Sequence, residues 1–313
     1  MNPLLRALLL SWDLRLEVAI PLLTLGALQF WGWRALRRRG LRRFANGWRL
    51  AAYLSGLLVL AVAVMSPIDV LGGQLFMMHM VQHLLLVMVA PPLLLLANPF
   101  PTFLWVLPRE QRKLVGAWFA PQGWAARLLR HAAHPAVAWF LYLSIFLGWH
   151  DANLYNLALR VDWVHDLEHL TFFGSALLFW WHVIGAGPHV HRRMSPVFRA
   201  VYALSMVPPN MFTGVAIAFA QSPIYTYYAT LPRLYGISVM DDQAWGGQIM
   251  WIPGSMMYIV AAVILIGRLV GDESKPVRSM DEWSTDEALV APGLEERARR
   301  NRAARILSQG GRS

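Results

Sequence analysis

The sequence predicts an all-α fold: a polytopic transmembrane helical bundle of about seven spans, with the N-terminus outside and the C-terminus cytoplasmic. Three observations predict it. Of the 313 residues, 57% are hydrophobic and only 15% are charged, with a mean hydropathy of +0.41; soluble domains carry about 25% charged residues. Apolar runs long enough to cross ~30 Å of hydrocarbon recur along the chain. Lys and Arg collect on alternate connections, which sets orientation by the positive-inside rule.

Taken in order, residues 1–16 are apolar only in short stretches, interrupted by Trp12, Asp13 and Arg15. They read as an interfacial amphipathic segment and not as a cleaved signal peptide. The transmembrane domain occupies 17–270, with spans near 17–33, 48–66, 76–97, 135–150, 163–185, 199–220 and 245–268. The first connection holds Arg34, Arg37, Arg38, Arg39, Arg42 and Arg43; the third holds Arg109, Arg112, Lys113, Arg127 and Arg130; the fifth holds Arg192 and Arg193. The alternate connections carry only Arg160 and Arg233, with no Lys or Arg in 67–75. Residues 98–134 are expected to form a cytoplasmic amphipathic segment, and the Tyr-rich stretch 221–244 to lie at the outer interface, where aromatic side chains favour the boundary of apolar and wet zones. Pro208 and Pro209 in SMVPPNMF are expected to kink the sixth span and leave carbonyls that Asn210 can satisfy. Residues 271–313 form a charged cytoplasmic tail whose EERARRNRAARIL stretch suits anionic membrane lipid.

Several function classes fall away. The net charge of +10 sits on membrane-flanking loops, and there is no aromatic-basic RNA motif or Gly-rich phosphate loop, so nucleic acid is not an expected partner. The absence of cysteine excludes disulfides, thiolate-ligated metal and a cysteine nucleophile. Metal chemistry must then use His, Met or carboxylates.

Histidines carry the strongest chemical signal. His79 and His83 stand four apart at the start of span three, and His165 and His169 repeat that spacing at the start of span five, with Glu168 beside them. Side chains four apart share one helix face. His150 sits at the exit of span four, so all five imidazoles are expected near the outer face. An ionisable group within a bilayer costs about 3 kcal/mol at the helix centre and normally has a partner or a task. Neutral imidazole is the commonest metal ligand. A histidine at a helix end can also simply reach interfacial water or bridge helices; the paired spacings and shared depth favour a metal site. Met77, Met78 and Met80, with Met250 in span seven, lie nearby, and thioether with imidazole favours copper, although Met is also ordinary apolar filler. Asp69, Asp241 and Asp242 share the outer side as further ligands, as partners that orient imidazoles, or as an attraction for cations; for Asp241 a solvated loop acid is the preferred reading. His182, His131, His134, His189 and His191 lie toward the inner side and are left out of the site.

The stretches MHMVQHLLLVMVAPPLLLLANP (78–99), HDANLYN (150–156), VHDLEHLTFFGSALLFWW (164–181) and DDQAWGGQIMWIPG (241–254) resemble the CtaG-type cytochrome c oxidase assembly factors of bacteria. The resemblance implies a multi-pass protein of the bacterial inner membrane that helps to build haem-copper oxidase, with a cytochrome c oxidase subunit as partner and copper as the metal supplied. It also implies that His79, His83, His150, His165 and His169 are the functional histidines, with Asp242 and Gln243 in the last motif. It leaves the oligomeric state open.

Other readings use the same residues. A membrane metalloenzyme is less favoured: the HxxHH cluster that accompanies HxxxH pairs in membrane di-iron hydroxylases is absent, and HDLEH has its glutamate in the wrong place for HExxH. Haem is an alternative, since two facing histidines in a bundle can ligate it axially. A copper transporter is a further one, but no ligand ladder continues across the bilayer beyond His182 and scattered methionines. A non-enzymatic assembly factor is the reading preferred.

Overall fold

In the computed structural model, residues 11–41, 45–119, 123–186 and 194–273 are described, and every regular element among them is helical. The chain divides into two units, Met1–Ile266 and Gly267–Ser313. Residues 1–10, Arg42, Arg43, His189, His191, Arg192, Arg193 and the tail from 274 lie outside the described residues.

Prolines and small caps decide where many helices begin. After α1 (Leu16–Arg38) and α2 (Gly47–Met65), Pro67 opens α3 (Pro67–Gly72) with the Ser66 hydroxyl accepting from Ile68 N. Pro at the first helical position lacks only an N–H that would have had no partner. Pro99 opens α6 (Pro99–Val106), Pro135 opens α9 (Pro135–Trp149) and Pro196 opens α12 (Pro196–Leu204) in the same way. Between them run α4 (Phe76–Leu84), α5 (Ala90–Leu96), α7 (Arg109–Trp118), α8 (Trp124–Ala132), α10 (Ala152–Ala158) and α11 (Asp162–Ile184). The chain continues through α13 (Val207–Ala218), α14 (Thr226–Ala229) and α15 (Val239–Glu273).

Among the described residues, five helical stretches are long and apolar enough to cross a membrane: Leu16–Arg38, Gly47–Met65, Phe76–Leu96, Pro196–Ala218 and Val239–Val270. A sixth arises if Trp124–His131 and Pro135–Trp149, bent by 58°, count as one broken span. The seven expected from the sequence are therefore not all matched. The remaining one, α11, is long enough at 23 residues, but Asp166, Glu168, His165, His169 and His182 lower its apolarity. The segment 98–134 is a run of three short helices, α6 to α8, and α6 packs against α1.

One irregularity lies in the helix that carries His79 and His83. Between α4 and α5 the chain makes a π-turn at Leu85–Val89, with Ala90 N bonding Leu85 O. Pro91 and Pro92 follow. The Val87 carbonyl can receive neither the α-helical bond from residue 91 nor the π-type bond from residue 92, because both lack an N–H. The buried Trp180 indole of α11 donates to it instead, at 2.9 Å. This contact locks α11 against the α4–α5 span. Pro208 and Pro209, by contrast, lie in the first turn of α13 after a break at Ser205–Met206. They leave no carbonyl for Asn210 in their own helix; Asn210 donates to Met250 O at 2.9 Å and to Ser255 Oγ at 3.0 Å, across in α15 beside Pro253.

Deeper in the bundle, Tyr142, Phe179, Trp180, Tyr202 and Tyr258 form a buried aromatic core. Tyr142 stacks on Phe179 at 4.7 Å, Trp180 on Tyr258 at 5.8 Å, and the Tyr142 and Tyr258 hydroxyls bond at 2.7 Å. Gly214 and Gly247 let α13 and α15 cross closely: a Cβ on Gly247 would sit 2.6 Å from Ala218 N.

Described parts of the connections meet at two ends: at the first, Asp13 N bonds Met65 O, Tyr225 donates to His150 O and Tyr228 to Gly72 O; at the second, Tyr202 donates to Pro135 O and Arg199 to Val183 O. At the second end Trp105 lies between the guanidinium groups of Arg39 and Arg112, at 4.7 and 4.1 Å. His131 bonds Arg127 O at 2.9 Å, and His134 caps α9 through Ala136 N at 3.3 Å.

Candidate metal centre

The first end is assembled by side chains that fasten its helices. The amides of Phe76 and Met77, at the start of α4, have no partner within their own helix. Both donate to Asp242 at the start of α15, at 2.9 Å each, and a carboxylate there also suits the helix dipole. Gly246, one turn on in α15, lies against Phe76; a Cβ at that position would overlap the Phe76 ring. Gln82 of α4 reaches across to Ala63 O at 2.9 Å and Asp69 Oδ1 at 2.6 Å. Gln243 accepts from Ile224 N at 2.7 Å and so ties the loop after α13 to α15. Arg15, just ahead of α1, donates from Nη2 to both carboxylate oxygens of Asp166 in α11, at 2.7 and 2.9 Å.

Within this frame α4 presents His79 and His83, α11 presents His165, Glu168 and His169, and α3 presents Asp69. Three sets of ligand atoms lie within 4.8 Å of one another: His79, His83 and His169; Asp69, His165 and His169; His79, His165 and Glu168. Glu168 is fully buried, with one oxygen 3.9 Å from His79 Nε2 and the other 3.6 Å from His83 Nε2. The His79 and His83 ring centroids are 4.3 Å apart, His165 and His169 4.2 Å, and His79 and His165 5.2 Å. His79 Nε2, both His83 nitrogens, His169 Nε2 and both Glu168 oxygens are buried without a hydrogen-bond partner.

That set of atoms is unusual in a folded protein, where most buried polar groups are bonded. Leaving one unbonded costs about 1–3 kcal/mol, and more for a charged group. A cation placed among them would satisfy imidazole lone pairs and the carboxylate together. Burial pushes the Asp69 carboxyl at the edge of the cluster up from its ordinary range, with the Gln82 bond acting the other way.

A hydrogen-bond chain orients His79. Its Nδ1 lies 2.9 Å from Tyr155 Oη and 3.2 Å from Tyr228 Oη, those hydroxyls are 3.3 Å apart, and Tyr228 Oη donates to Gly72 O at 2.9 Å. The chain ends on a carbonyl, which only accepts. The arrangement that satisfies every member has His79 Nδ1–H donating to Tyr155, Tyr155 to Tyr228 and Tyr228 to Gly72. Burial pushes both tyrosine hydroxyls well up from their usual range, which keeps them protonated as donors. His79 Nε2 is then the free lone pair, facing Glu168. Neither tyrosine was singled out from the sequence; the HDANLYN motif and the Tyr-rich loop that hold them were its only signal.

The other expected site residues lie elsewhere. His150 donates from Nδ1 to Phe146 O at 2.6 Å, and its buried Nε2 has no hydrogen-bond partner; it lines a cavity with His83 and Met250 and belongs to none of the three ligand sets. Met78 belongs to none of the ligand sets, and Asp242 and Gln243 are engaged by backbone groups as described.

Residues 27–272 match the family described as cytochrome c oxidase caa3 assembly factor, Caa3_CtaG. The chain belongs to this family. Among curated relatives, uncharacterized proteins of Mycobacterium bovis and Mycobacterium tuberculosis are each 29% identical over 273 residues, covering 83% of this chain and 40% of theirs. One of Mycobacterium leprae is 26% identical over 236 residues, covering 72% of this chain and 35% of its own. This Caa3_CtaG chain thus spans about two fifths of the length of the curated relatives it matches. No solved structure gives a significant match.

Proposed function

We propose that this oxidase assembly factor binds copper at the histidine–carboxylate cluster and supplies it to a cytochrome c oxidase subunit during assembly, without turnover of its own. The observation that carries the reading is the convergence of unbonded, buried imidazole nitrogens on the unbonded Glu168 carboxylate. His79, His83, His165, His169 and Glu168 are the ligand pool, Asp69 lies at its edge, and Tyr155 and Tyr228 position His79. The donors are imidazole and carboxylate, a set that suits divalent copper. Copper is the cargo, and the protein's part is to hold neutral imidazoles in place and keep water out.

On this reading α11 is a further span, and the cluster end faces the periplasm. Its connections carry Arg160 and Arg233, whereas the opposite end carries the arginine-rich connections, and positive charge is retained on the cytoplasmic side. Haem is less suited: the Glu168 carboxylate lies 3.9 Å from His79 Nε2 and 3.6 Å from His83 Nε2, in the space a macrocycle ligated by these rings would take.

The test is elemental analysis of detergent-purified protein after Cu(II) loading and removal of loose ions. Wild type is expected to retain copper, and a folded variant with His79, His83, His165 and His169 all changed to Ala is expected to retain none. Equal copper in both would make these histidines structural.

A further inference from the structure

A cavity of about 40 Å³ lies deeper than the cluster, at the level of the π-turn, and its lining has a different chemistry. Met80 and Met88 of the α4–α5 span and Met250 of α15 contribute three thioethers, and His83 and His150 contribute imidazoles. Met80, Met88 and Met250 are 3%, 5% and 6% exposed. His83, only 7% exposed, has no partner on either ring nitrogen, and His150, with Nδ1 held by Phe146 O, has none on Nε2. Asn210 also lines the space, but its amide is engaged by Met250 O and Ser255 Oγ.

The geometry points to a second metal site in this cavity, specific for a soft monovalent cation such as Cu(I) and distinct from the histidine–carboxylate cluster. Thioether with imidazole selects Cu(I), whereas carboxylate with imidazole accepts harder divalent ions. No carboxylate lines the cavity. The cost of burying an ion rises steeply with its charge, so a ligand set made only of neutral groups suits a single positive charge. His83 joins the two places: its Nε2 faces Glu168 in the cluster, and its ring lines the cavity. A void of this size exceeds the roughly 10–15 Å³ that admits one water-sized probe, so an ion enters without the bundle being recast.

The site goes beyond the proposed copper-supply role, and the two can fail separately. The experiment uses the full chain in detergent, loaded anaerobically with Cu(I), with X-ray absorption at the copper edge and competition against a Cu(I) chelator. A His165→Ala/His169→Ala variant removes cluster ligands that do not line the cavity. It is expected to lose Cu(II) while still holding one Cu(I) with sulfur in its coordination shell. Adding Met80→Leu, Met88→Leu and Met250→Leu, which keep apolar volume, is expected to weaken Cu(I) at least tenfold and remove the sulfur signal. Bound Cu(I) with only nitrogen and oxygen neighbours in the wild type would overturn the proposal without reference to any variant. So would Cu(I) affinity unchanged by the three leucines, or no Cu(I) retained by wild type. Loss of Cu(II) binding in every form, with sulfur-ligated Cu(I) intact, would remove the cluster reading and leave this one standing.

Discussion

The two ends of the bundle handle ionisable groups in opposite ways. At the arginine-rich end, charges stay near the surface and lean on aromatic faces: Arg39 and Arg112 flank Trp105, and Arg37 lies 4.8 Å from the Trp33 ring centroid. Histidines there make ordinary local bonds, as His131 and His134 do. At the other end both oxygens of the buried Glu168 and ring nitrogens of His79, His83 and His169 have no hydrogen-bond partner in the protein. The difference teaches where each end finds its counter-charge. One finds it in water and in π-faces, whereas on the copper-binding reading proposed above the other finds it in a cation.

The sharpest way to break that comparison is Glu168→Gln. If the carboxylate is there for a cation, the change is expected to weaken Cu(II) binding at least 10–100-fold, the range for disturbing a metal site's partners. It should leave the melting temperature of the metal-free protein nearly unchanged, because glutamine keeps the shape of the fully buried side chain. Binding isotherms and thermal melts of the same samples check both expectations, and unchanged copper affinity would mean that the two ends differ only in burial. Gly246→Ala tests the frame beneath the cluster. The new Cβ overlaps the Phe76 ring, and overpacking of this kind costs about 1–3 kcal/mol, so denaturation should come earlier and copper retention should fall with it.

Tyr155→Phe is expected to be milder. It removes the hydroxyl that receives His79 Nδ1–H, so copper affinity should fall about tenfold with the melting temperature nearly unchanged; an unaltered affinity would remove the orienting role. The smallest effect is expected at the opposite end. Trp105→Ala deletes two exposed cation–π contacts worth about 0.5–1 kcal/mol each, and copper binding should not change. A loss of copper there would show that the two ends are coupled.

How much of this was legible before folding depends on the range of the interaction. The two HxxxH spacings mark one helix face each, because 3.6-residue periodicity is local, and they singled out the four histidines that the fold then brings together. Asp242 and Gln243 were legible as polar residues in the right region but not in their tasks. Their partners, the amides of Phe76, Met77 and Ile224, come from distant parts of the chain. α11 is not matched among the long apolar stretches for a physical reason: the helix that carries half the cluster is thereby less apolar than its neighbours.

The sequence by itself determined an all-helical, lipid-compatible chain, the asymmetry of charge between its two ends, and the pairing of histidines on two helices. These follow from composition and from periodicities that act within a few turns. Tertiary structure decided that Glu168 lies between His79 and His83, that Tyr155 and Tyr228 orient His79, and that His150 lines a cavity with His83 and Met250. Each depends on the rotation and depth at which helices pack, set by contacts such as Trp180 with the Val87 carbonyl and Gly246 under Phe76, between residues far apart along the chain.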